Sequence, residues 1–533
     1  MPLKNIAIEA GAGCGKTTRI TEDIINGLKN NNFNIDDIVV ITFTKKAANE
    51  LKSRISLKLQ EAVGNGDKNL EKQLKNLGNA RISTIHSFCE GLLKERPVEA
   101  QADPACTVIE EMEQQIFLDQ VFDSWLNERL NENPDYYRKL VLDYKIDLKT
   151  PDYGFSSLDN SFQGIVKTAL GYRELDLFIP KDPGTPDENI KNCLKDLNSL
   201  KGQTSAPKLI DFMEDYIARI SSNISDTNSY IEGINVKYKP GNLGGKNEKP
   251  IKEEWKEACE KHLFNIQYSI NFPEVKKLHK ETNTEVQSFV EFYREEMRKN
   301  GVIDFGEILY KTERLLSTNQ TVREYFKNKF SYIFVDEFQD TDPLQAKIFF
   351  YLAEKKGNFG QNLADIELEE NKIYVVGDPK QSIYKFRRAD IEIYNAAMDK
   401  ISAGKKEYLS TNYRSCVKVI DWVNLFFKNR IKRPLDGNYQ ADYIPLKHYQ
   451  KDAGKVIFVE PDVEKEKIEK QIIDDARDME AKLTASWIKQ FIEKGKYTYK
   501  DILVIYRGKK NMHRTAQFLE ELDIPYELVG AKS

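Results

Sequence analysis

Eight residues near the N-terminus, AGAGCGKT at 10–17, have the spacing of a phosphate-binding loop, except that Ala10 stands at the first glycine position. The loop follows a short apolar segment, NIAIE at 5–9, and precedes a helical pattern. Backbone N–H groups and the helix N-terminus would hold phosphates, Lys16 would reach the β- and γ-phosphates, and the Thr17 hydroxyl would bind Mg²⁺. A glycine-rich turn without a ligand is the alternative interpretation. The predicted nucleotide-binding residues are Ala10, Gly11, Ala12, Gly13, Cys14, Gly15, Lys16, Thr17 and Thr18.

Two adjacent carboxylates, Asp336 and Glu337, end the apolar segment YIFVDE at 332–337. The carboxyl ends of parallel strands are where α/β proteins bind ligands. Asp336 would bind Mg²⁺, and Glu337 would orient and deprotonate the attacking water. Without a phosphate loop, a solvated strand end would explain the pair equally well. With the loop, the pair predicts a catalytic site whose cofactors are ATP and Mg²⁺.

A third segment, VVGDPKQSIYKFRR at 375–388, combines an amide with cations and aromatic rings. Gln381 follows another strand end, where it could sense the γ-phosphate. Aromatic residues between cations suit base stacking combined with phosphate neutralisation on single strands. Core packing of Tyr384 and Phe386, with solvated cations around them, is the alternative. The clustered residues are Lys380, Tyr384, Lys385, Phe386, Arg387 and Arg388.

The segment LSTNYRS at 409–415 supplies Arg414, a fixed cation that could stabilise charge on a γ-phosphate. From composition alone, an ordinary surface arginine explains Arg414 better than a catalytic one.

The elements that would position these residues have the pattern of a parallel α/β sheet. IVVITF at 38–43 and ARISTI at 80–85 predict buried strands, each followed by a helix. YIFVDE and KIYVVGD at 372–378 predict two more strands, separated by a helix that starts near Pro343. Strands that alternate with helices predict a parallel sheet.

Between these strands, residues 97–300 change to charged, aromatic helical segments, which predicts a mostly helical insertion. A further α/β region is predicted from Leu409 onward. Its predicted strands are KVIFVE at 455–460 and ILVIYR at 502–507, and its predicted helices lie around VIDWVNLFFKN, from about 464 to 494, and at 510–522.

Bulk composition limits the class of protein. The chain has 533 residues, 40% of them hydrophobic, which is enough material for several cores. The 80 Lys and Arg against 84 Asp and Glu leave no global basic field, so a nucleic-acid surface must be local. Six scattered cysteines indicate reduced thiols, and no signal peptide or long apolar run is found. We expect a cytoplasmic protein with no membrane partner.

Taken in order, the motifs resemble those of the UvrD/Rep-type helicases of superfamily 1. Phe386 stands where such members usually have Trp, and Arg388 where Gly is usual. Two of the phrases, DEFQDTDPLQ and GDPKQSIYKFRRAD, are more similar to the RecB and AddA branch. The matching segments are AGAGCGKTT, ITFTKKAANELKSRI (41–55), STIHSFCEGLL (83–93), GVIDFGEIL (301–309), FVDEFQDTDPLQ (334–345), VVGDPKQSIYKFRRAD (375–390), LSTNYRS and DILVIYR (501–507).

The resemblance implies translocation from 3′ to 5′ on single-stranded DNA, driven by closure of two RecA-like domains around ATP, with recombination or double-strand-break repair as the setting. It assigns Lys16, Gln381, Arg414 and Glu337 to catalysis, Thr17 and Asp336 to the metal, and stacking on adenine to Tyr413. The implied partners are single-stranded and duplex DNA and a second nuclease or helicase subunit. The implied DNA contacts are Phe43, Thr44, His86, Tyr384 and Phe386.

The resemblance implies a RecA-like P-loop NTPase domain (1–96 and 300–408), a helical insertion (97–299) and part of a second RecA-like domain (409–533). The family glutamine ahead of the phosphate loop has no counterpart among the first nine residues, which leaves base selectivity open. The final helicase motifs are not found before Ser533, so we expect weak or no ATP hydrolysis from this chain alone. The alternatives are a non-catalytic nucleotide- and DNA-binding module and an RNA-directed helicase of superfamily 1.

Overall fold

The computed structural model describes residues 4–150, 161–173, 180–222, 239–240, 243, 248–432, 440–458, 470–495, 497–508 and 511–529. Contacts divide the chain into two units. The first comprises Met1–Arg414 and Phe427–Lys447, and the second comprises Ser415–Phe426 and His448–Ser533. No helix among these described ranges has the length and hydropathy needed to cross a membrane.

A six-stranded sheet forms the centre of the first unit, in the order β3-β2-β6-β7-β1-β8. Every pairing in it is parallel. Strands β2, β6 and β7 are buried along their whole length, as expected of a parallel sheet covered on both faces. The predicted parallel α/β fold is confirmed. The strands are β1 Ile6–Ala10, β2 Ile38–Thr42, β3 Arg81–Thr84, β6 Tyr332–Val335, β7 Ile373–Gly377 and β8 Glu407–Leu409.

Helices cover both faces of this sheet, and several begin directly at the carboxyl ends of strands. Side-chain oxygens of Thr44, Thr84 and Asp342 accept hydrogen bonds from the first turns of the helices that follow them. These caps fix the starts of helices that follow β2, β3 and β6. The helices are α1 Lys16–Lys29, α2 Lys45–Gly64, α3 Asn69–Asn76, α4 Ile85–Glu95, α11 Phe305–Thr318, α12 Gln320–Lys329, α13 Pro343–Ala353 and α14 Ile391–Ser402.

The insertion between α4 and α11 is mostly helical, as predicted, and contains two hydrophobic cores. One is built around Trp125 and Phe289, and the other around Trp255 and Met213. A short two-stranded ladder, β4 Thr107–Val108 with β5 Val302–Ile303, joins the two ends of the insertion. Its helices are α5 Glu111–Glu132, α6 Pro134–Leu142, α7 Phe162–Gly171, α8 Pro186–Lys201, α9 Pro207–Ser222 and α10 Lys249–Lys299.

A buried ion cluster fastens the insertion to the sheet-bearing part. Arg173, just after α7, donates to both oxygens of Asp304, 2.6 and 2.8 Å away, and also to Glu307. Asp304 caps α11 and accepts a further bond from the Tyr293 hydroxyl on α10. The side chains of Arg173 and Asp304 are only 3% and 0% exposed. The insertion is therefore anchored through a desolvated, bidentate pair.

The second unit differs from the prediction. Helices α15 Val417–Phe427, α16 Lys470–Glu493 and α17 Met512–Glu521 lie where helices are predicted, although residues 464–469 lie outside the described residues. The prediction of strands at 455–460 and 502–507 is wrong in its described parts. Residues 455–458 and 502–507 form no strand in the described structure. Residues 459–460 are outside the described ranges. An apolar segment becomes a strand only beside a partner, and Phe458 and Ile505 remain 71% and 82% exposed.

Replacing Arg173 with Met should strongly destabilise the first unit. The change keeps the length of the side chain but leaves Asp304 buried without its cation, whereas Glu307 keeps its pair with Arg294. Breaking a buried pair in this way costs about 3–5 kcal/mol of unfolding free energy. A urea titration followed by tryptophan fluorescence would measure the loss. Arg298→Met is the matched control, because Arg298 forms an exposed pair with Glu295 on α10 and should leave the titration unchanged. Similar curves for the two variants would contradict the anchoring role of Arg173.

Candidate nucleotide and nucleic-acid site

The phosphate loop lies between the carboxyl end of β1 and the start of α1. Gly13 and Gly15 have φ angles of 69° and 79°, in the left-handed region that favours glycine. A Cβ on Gly13 would also lie 2.7 Å from the Asn412 amide, so the backbone must be bare there. Ala10 is instead the last residue of β1, which explains why a side chain is tolerated at that position. Lys16, Thr17 and Thr18 form the first turn of α1.

The structure brings the phosphate loop and the predicted catalytic carboxylate into direct contact. Lys16 Nζ lies 2.5 Å from Glu337 Oε2, although the two residues are 321 positions apart. Glu337 follows β6 and has a left-handed backbone with φ of 52°, an unusual conformation for a residue with a side chain. Such strain persists only where the surroundings hold it, and here the Lys16 ion pair holds the carboxylate.

Asp336 lies at the end of β6, and its backbone N–H donates to the Ile41 carbonyl, 2.9 Å away. Burial, and secondly the charge of Glu337, raise the pKa of Asp336 to about 6. A desolvated carboxylate beside a second acid gains from a bound cation. Together with the Thr17 hydroxyl it provides hard oxygen ligands of the kind that Mg²⁺ prefers. The residues present therefore fit Mg²⁺ bound with a nucleotide.

Gln339 is a residue that the sequence analysis missed. Its Nε2 donates to Glu337 Oε2 at 2.8 Å, and its Oε1 accepts from the Asp378 backbone N–H, also at 2.8 Å. The side chain is buried, so these bonds are shielded from water. An amide two residues after the acid pair was the available signal, but an amide alone does not reveal which strand end it will meet.

Asp378 continues this hydrogen-bonded chain. Its carboxylate accepts from Gln381 Nε2 at 2.7 Å and lies 2.8 Å from Lys380 Nζ. Gln381, the predicted γ-phosphate sensor, is thereby connected to Glu337 through Asp378 and Gln339. Polar contacts link the acid pair to the start of the cationic, aromatic segment.

Residues 411–414 lie against the phosphate loop. The Tyr413 N–H donates to the Gly13 carbonyl at 2.9 Å, and Asn412 Nδ2 donates to the Ala12 carbonyl at 2.6 Å. The Arg414 N–H in turn donates to Asn412 Oδ1 at 2.9 Å. The structure thus brings the predicted Tyr413 and Arg414 to the loop, and it adds Asn412, which the sequence analysis missed.

Three of the five predicted DNA-contact residues form one aromatic surface. The rings of Phe43 and Tyr384 stack with centroids 5.0 Å apart, and the Phe386 ring lies 5.8 Å from Tyr384. Arg387 places its guanidinium 5.6 Å from the Tyr384 centroid and 5.9 Å from the Phe386 centroid. Phe386 is 78% exposed, so it is not a core residue. Exposed rings beside a cation suit stacking on bases.

The other two predicted contacts have neighbours that explain their positions. The Thr44 hydroxyl caps α2 by accepting from the Ala47 N–H at 3.0 Å. His86, on α4, meets the Phe305 ring edge to face with centroids 4.9 Å apart. His86 and Phe43 line one cavity of about 280 Å³, together with Phe305, which the sequence analysis missed.

Comparisons with known protein families match both parts of the chain. Residues 1–402 match the model of the UvrD/REP helicase N-terminal domain. Residues 408–533 match the model of the UvrD-like helicase C-terminal domain.

Curated relatives similar to this chain are named as one subunit of an ATP-dependent helicase/nuclease. The protein of Listeria innocua is 27% identical over 79% of this chain and 38% of its own length. The protein of Ligilactobacillus salivarius is 24% identical over 99% of this chain and 48% of its own length. The chain therefore spans less than half the length of these relatives.

His86 should remain neutral throughout the physiological pH range, because burial lowers the pKa of its imidazole to about 4. The unfolded chain would take up this proton near pH 6.5. The contribution of His86 to stability is therefore complete above pH 6.5 and decreases as the pH falls towards 4. An NMR titration of the imidazole signals, with His86→Gln to assign the resonance, should give a midpoint near 4. A midpoint near 6.5 would show that the ring is solvated.

Proposed function

This chain belongs to the UvrD/REP helicase family, and from that premise we propose that it is the ATP-driven part of a DNA helicase that moves along single-stranded DNA. The observation that carries the proposal is the polar chain from Lys16 through Glu337, Gln339 and Asp378 to Gln381. This series of polar contacts joins the phosphate loop to the segment that carries the exposed aromatic residues. A motor needs such a connection, because DNA affinity must change with the state of the nucleotide.

The nucleotide would enter by replacing the ion pair between Lys16 and Glu337. Lys16 would turn from the carboxylate to the β- and γ-phosphates, and Glu337 would be released to orient a water and accept its proton. Asp336 and Thr17 would hold Mg²⁺, which supplies charge neutralisation at the phosphates. Arg414 would add a fixed positive charge, and the Tyr413 ring would stack on adenine.

Gln339 would carry the change at Glu337 towards DNA. The Gln339 amide hydrogen-bonds both the Glu337 carboxylate and the Asp378 backbone N–H. Movement of Glu337 would therefore change the hydrogen bonding that holds residues 378–381. These residues lead directly into Tyr384 and Phe386, which would hold bases together with Phe43. Neutral His86 and Thr44 would extend the same surface.

The wider setting is proposed from the motif resemblance, and the relatives' name as a helicase/nuclease subunit supports the proposal of a partner subunit. We propose movement from 3′ to 5′, action on duplex as well as single-stranded DNA in recombination or double-strand-break repair, and cytoplasmic location. The proposed partner is a second nuclease or helicase subunit. The domain division into 1–96 with 300–408, 97–299 and 409–533 and the roles of the site residues belong to the same proposal.

In the full-length protein, Glu337→Gln should retain nucleotide binding and lose turnover. The change removes the base but keeps the size of the side chain, so kcat for ATP should fall by about 10²–10⁴-fold. The affinity for an ATP analogue should not fall, because Lys16 no longer has to leave a carboxylate. A DNA-stimulated ATPase assay and nucleotide titration would measure both quantities. Glu71→Gln, an exposed acid on α3, is the control. Equal loss of binding and turnover would argue against the assigned role.

Phe386→Ala should weaken binding of single-stranded DNA by about 1–3 kcal/mol, the contribution of one base stack. Titration of a labelled oligonucleotide with and without a non-hydrolysable ATP analogue would measure it. Phe264→Ala is the matched control, because Phe264 is a similarly exposed ring, 65% accessible, on the insertion helix α10. Unchanged affinity in Phe386→Ala would remove Phe386 from the DNA site. Replacing the DNA with RNA of the same sequence tests for an RNA-directed enzyme.

A further inference from the structure

Arg388 has a backbone conformation that its side chain does not favour. It closes a tight turn in which the Arg388 N–H donates to the Lys385 carbonyl at 2.9 Å and the Ala389 N–H donates to the Tyr384 carbonyl at 3.2 Å. At this position φ is +70° and ψ is 9°, in the left-handed region. A side chain there costs about 1–2 kcal/mol that glycine would avoid. The turn alone does not account for an arginine.

Two contacts of the Arg388 side chain lie on described residues of the insertion. Its guanidinium carbon is 4.6 Å from the centre of the Tyr172 ring, the geometry of a cation–π interaction. Its Nη1 donates to the Gly171 carbonyl. Gly171 is the last residue of α7, so this carbonyl lies at the negative end of the helix dipole, where a cation is stabilised. Arg388 thus joins the turn to the end of one insertion helix.

The end of α7 is firmly attached to the rest of the insertion. Phe162, Val166 and Leu170 of α7 are buried in the core that includes Trp125 and Phe289. The next residue after Tyr172 is Arg173, which makes the buried pair with Asp304. The end of α7 is therefore a fixed point, and the turn at 384–388 is the element that can move relative to it.

We propose that Arg388 is a positioning residue that holds the 384–388 turn on the end of α7 and thereby makes DNA affinity depend on the insertion. Arg388 acts through Tyr384 and Phe386, the rings that precede it in the turn. The inference rests on the proposed function, because it concerns the grip of that same aromatic surface on single-stranded DNA. In this proposal the insertion helps to position the aromatic surface on which the DNA bases stack.

The principal variant is Arg388→Gly, which removes the contact to α7 and relieves the backbone strain, so that the turn can still form. Without the contact, the affinity for a labelled single-stranded oligonucleotide should fall by about tenfold, the usual worth of a partly desolvated cation–π pair. In the full-length protein, the DNA concentration that half-saturates ATP hydrolysis should rise by the same factor. The kcat at saturating DNA and the melting temperature should not change.

Tyr172 supplies the matched pair of variants, because it lies on the other side of the contact. Tyr172→Ala should lower DNA affinity by a factor similar to that of Arg388→Gly. Tyr172→Phe keeps an aromatic face for the cation and should restore wild-type affinity. The double variant Arg388→Gly/Tyr172→Ala should bind no more weakly than Arg388→Gly, because that variant has already lost the contact with Tyr172.

Two results would overturn this inference alone. Wild-type affinity in Arg388→Gly would show that the contact does not position the turn. Loss in Arg388→Gly with full affinity in Tyr172→Ala would show that the contact of Arg388 with Tyr172 does not position the turn. By contrast, a wild-type protein that binds no single-stranded DNA would overturn the proposed function itself, so the two failures are distinguishable.

Discussion

The ion pair between Lys16 and Glu337 is the interaction on which the arrangement of the site depends. It joins the start of α1, the helix that follows β1, to the end of β6, and β7 lies between β1 and β6 in the sheet. The parallel register of the three strands brings their carboxyl ends to one edge. Asp378, which follows β7, therefore lies close enough for its backbone N–H to donate to Gln339. The segment that leads to Phe386 starts at Asp378.

Two residues with left-handed backbones stand at opposite ends of this connection. Glu337 has φ of 52° and Arg388 has φ of 70°, and neither is a glycine. Local strain of this kind is retained where side-chain contacts offset it. Glu337 is held by Lys16 and Gln339, whereas Arg388 is held by Tyr172 and the Gly171 carbonyl. The base proposed at Glu337 and the positioning role proposed for Arg388 would explain why neither position carries glycine.

Most of the first unit could be predicted from sequence, because its strands are continuous apolar runs and its loop has fixed spacing. The boundaries of β2, β6 and β7 agree with the apolar segments to within two residues. The strands expected at 455–460 and 502–507 were wrong in their described parts because hydropathy reports burial potential and not the presence of a pairing partner. Gln339 and Phe305 were missed because their roles arise from neighbours far away in sequence.

The two attachments of the α7 end differ in how easily they can break. Arg173 and Asp304 are fully desolvated, and separating them would leave buried charge that costs several kcal/mol, too much for a repeated step. Tyr172 is 40% exposed, so water can replace its contact with Arg388 at a cost of about 1–2 kcal/mol. A nucleotide that shifts the 378–388 segment can therefore alter the second attachment while the first stays intact. In the proposed cycle the insertion would remain anchored, and only its contact with the aromatic turn would change.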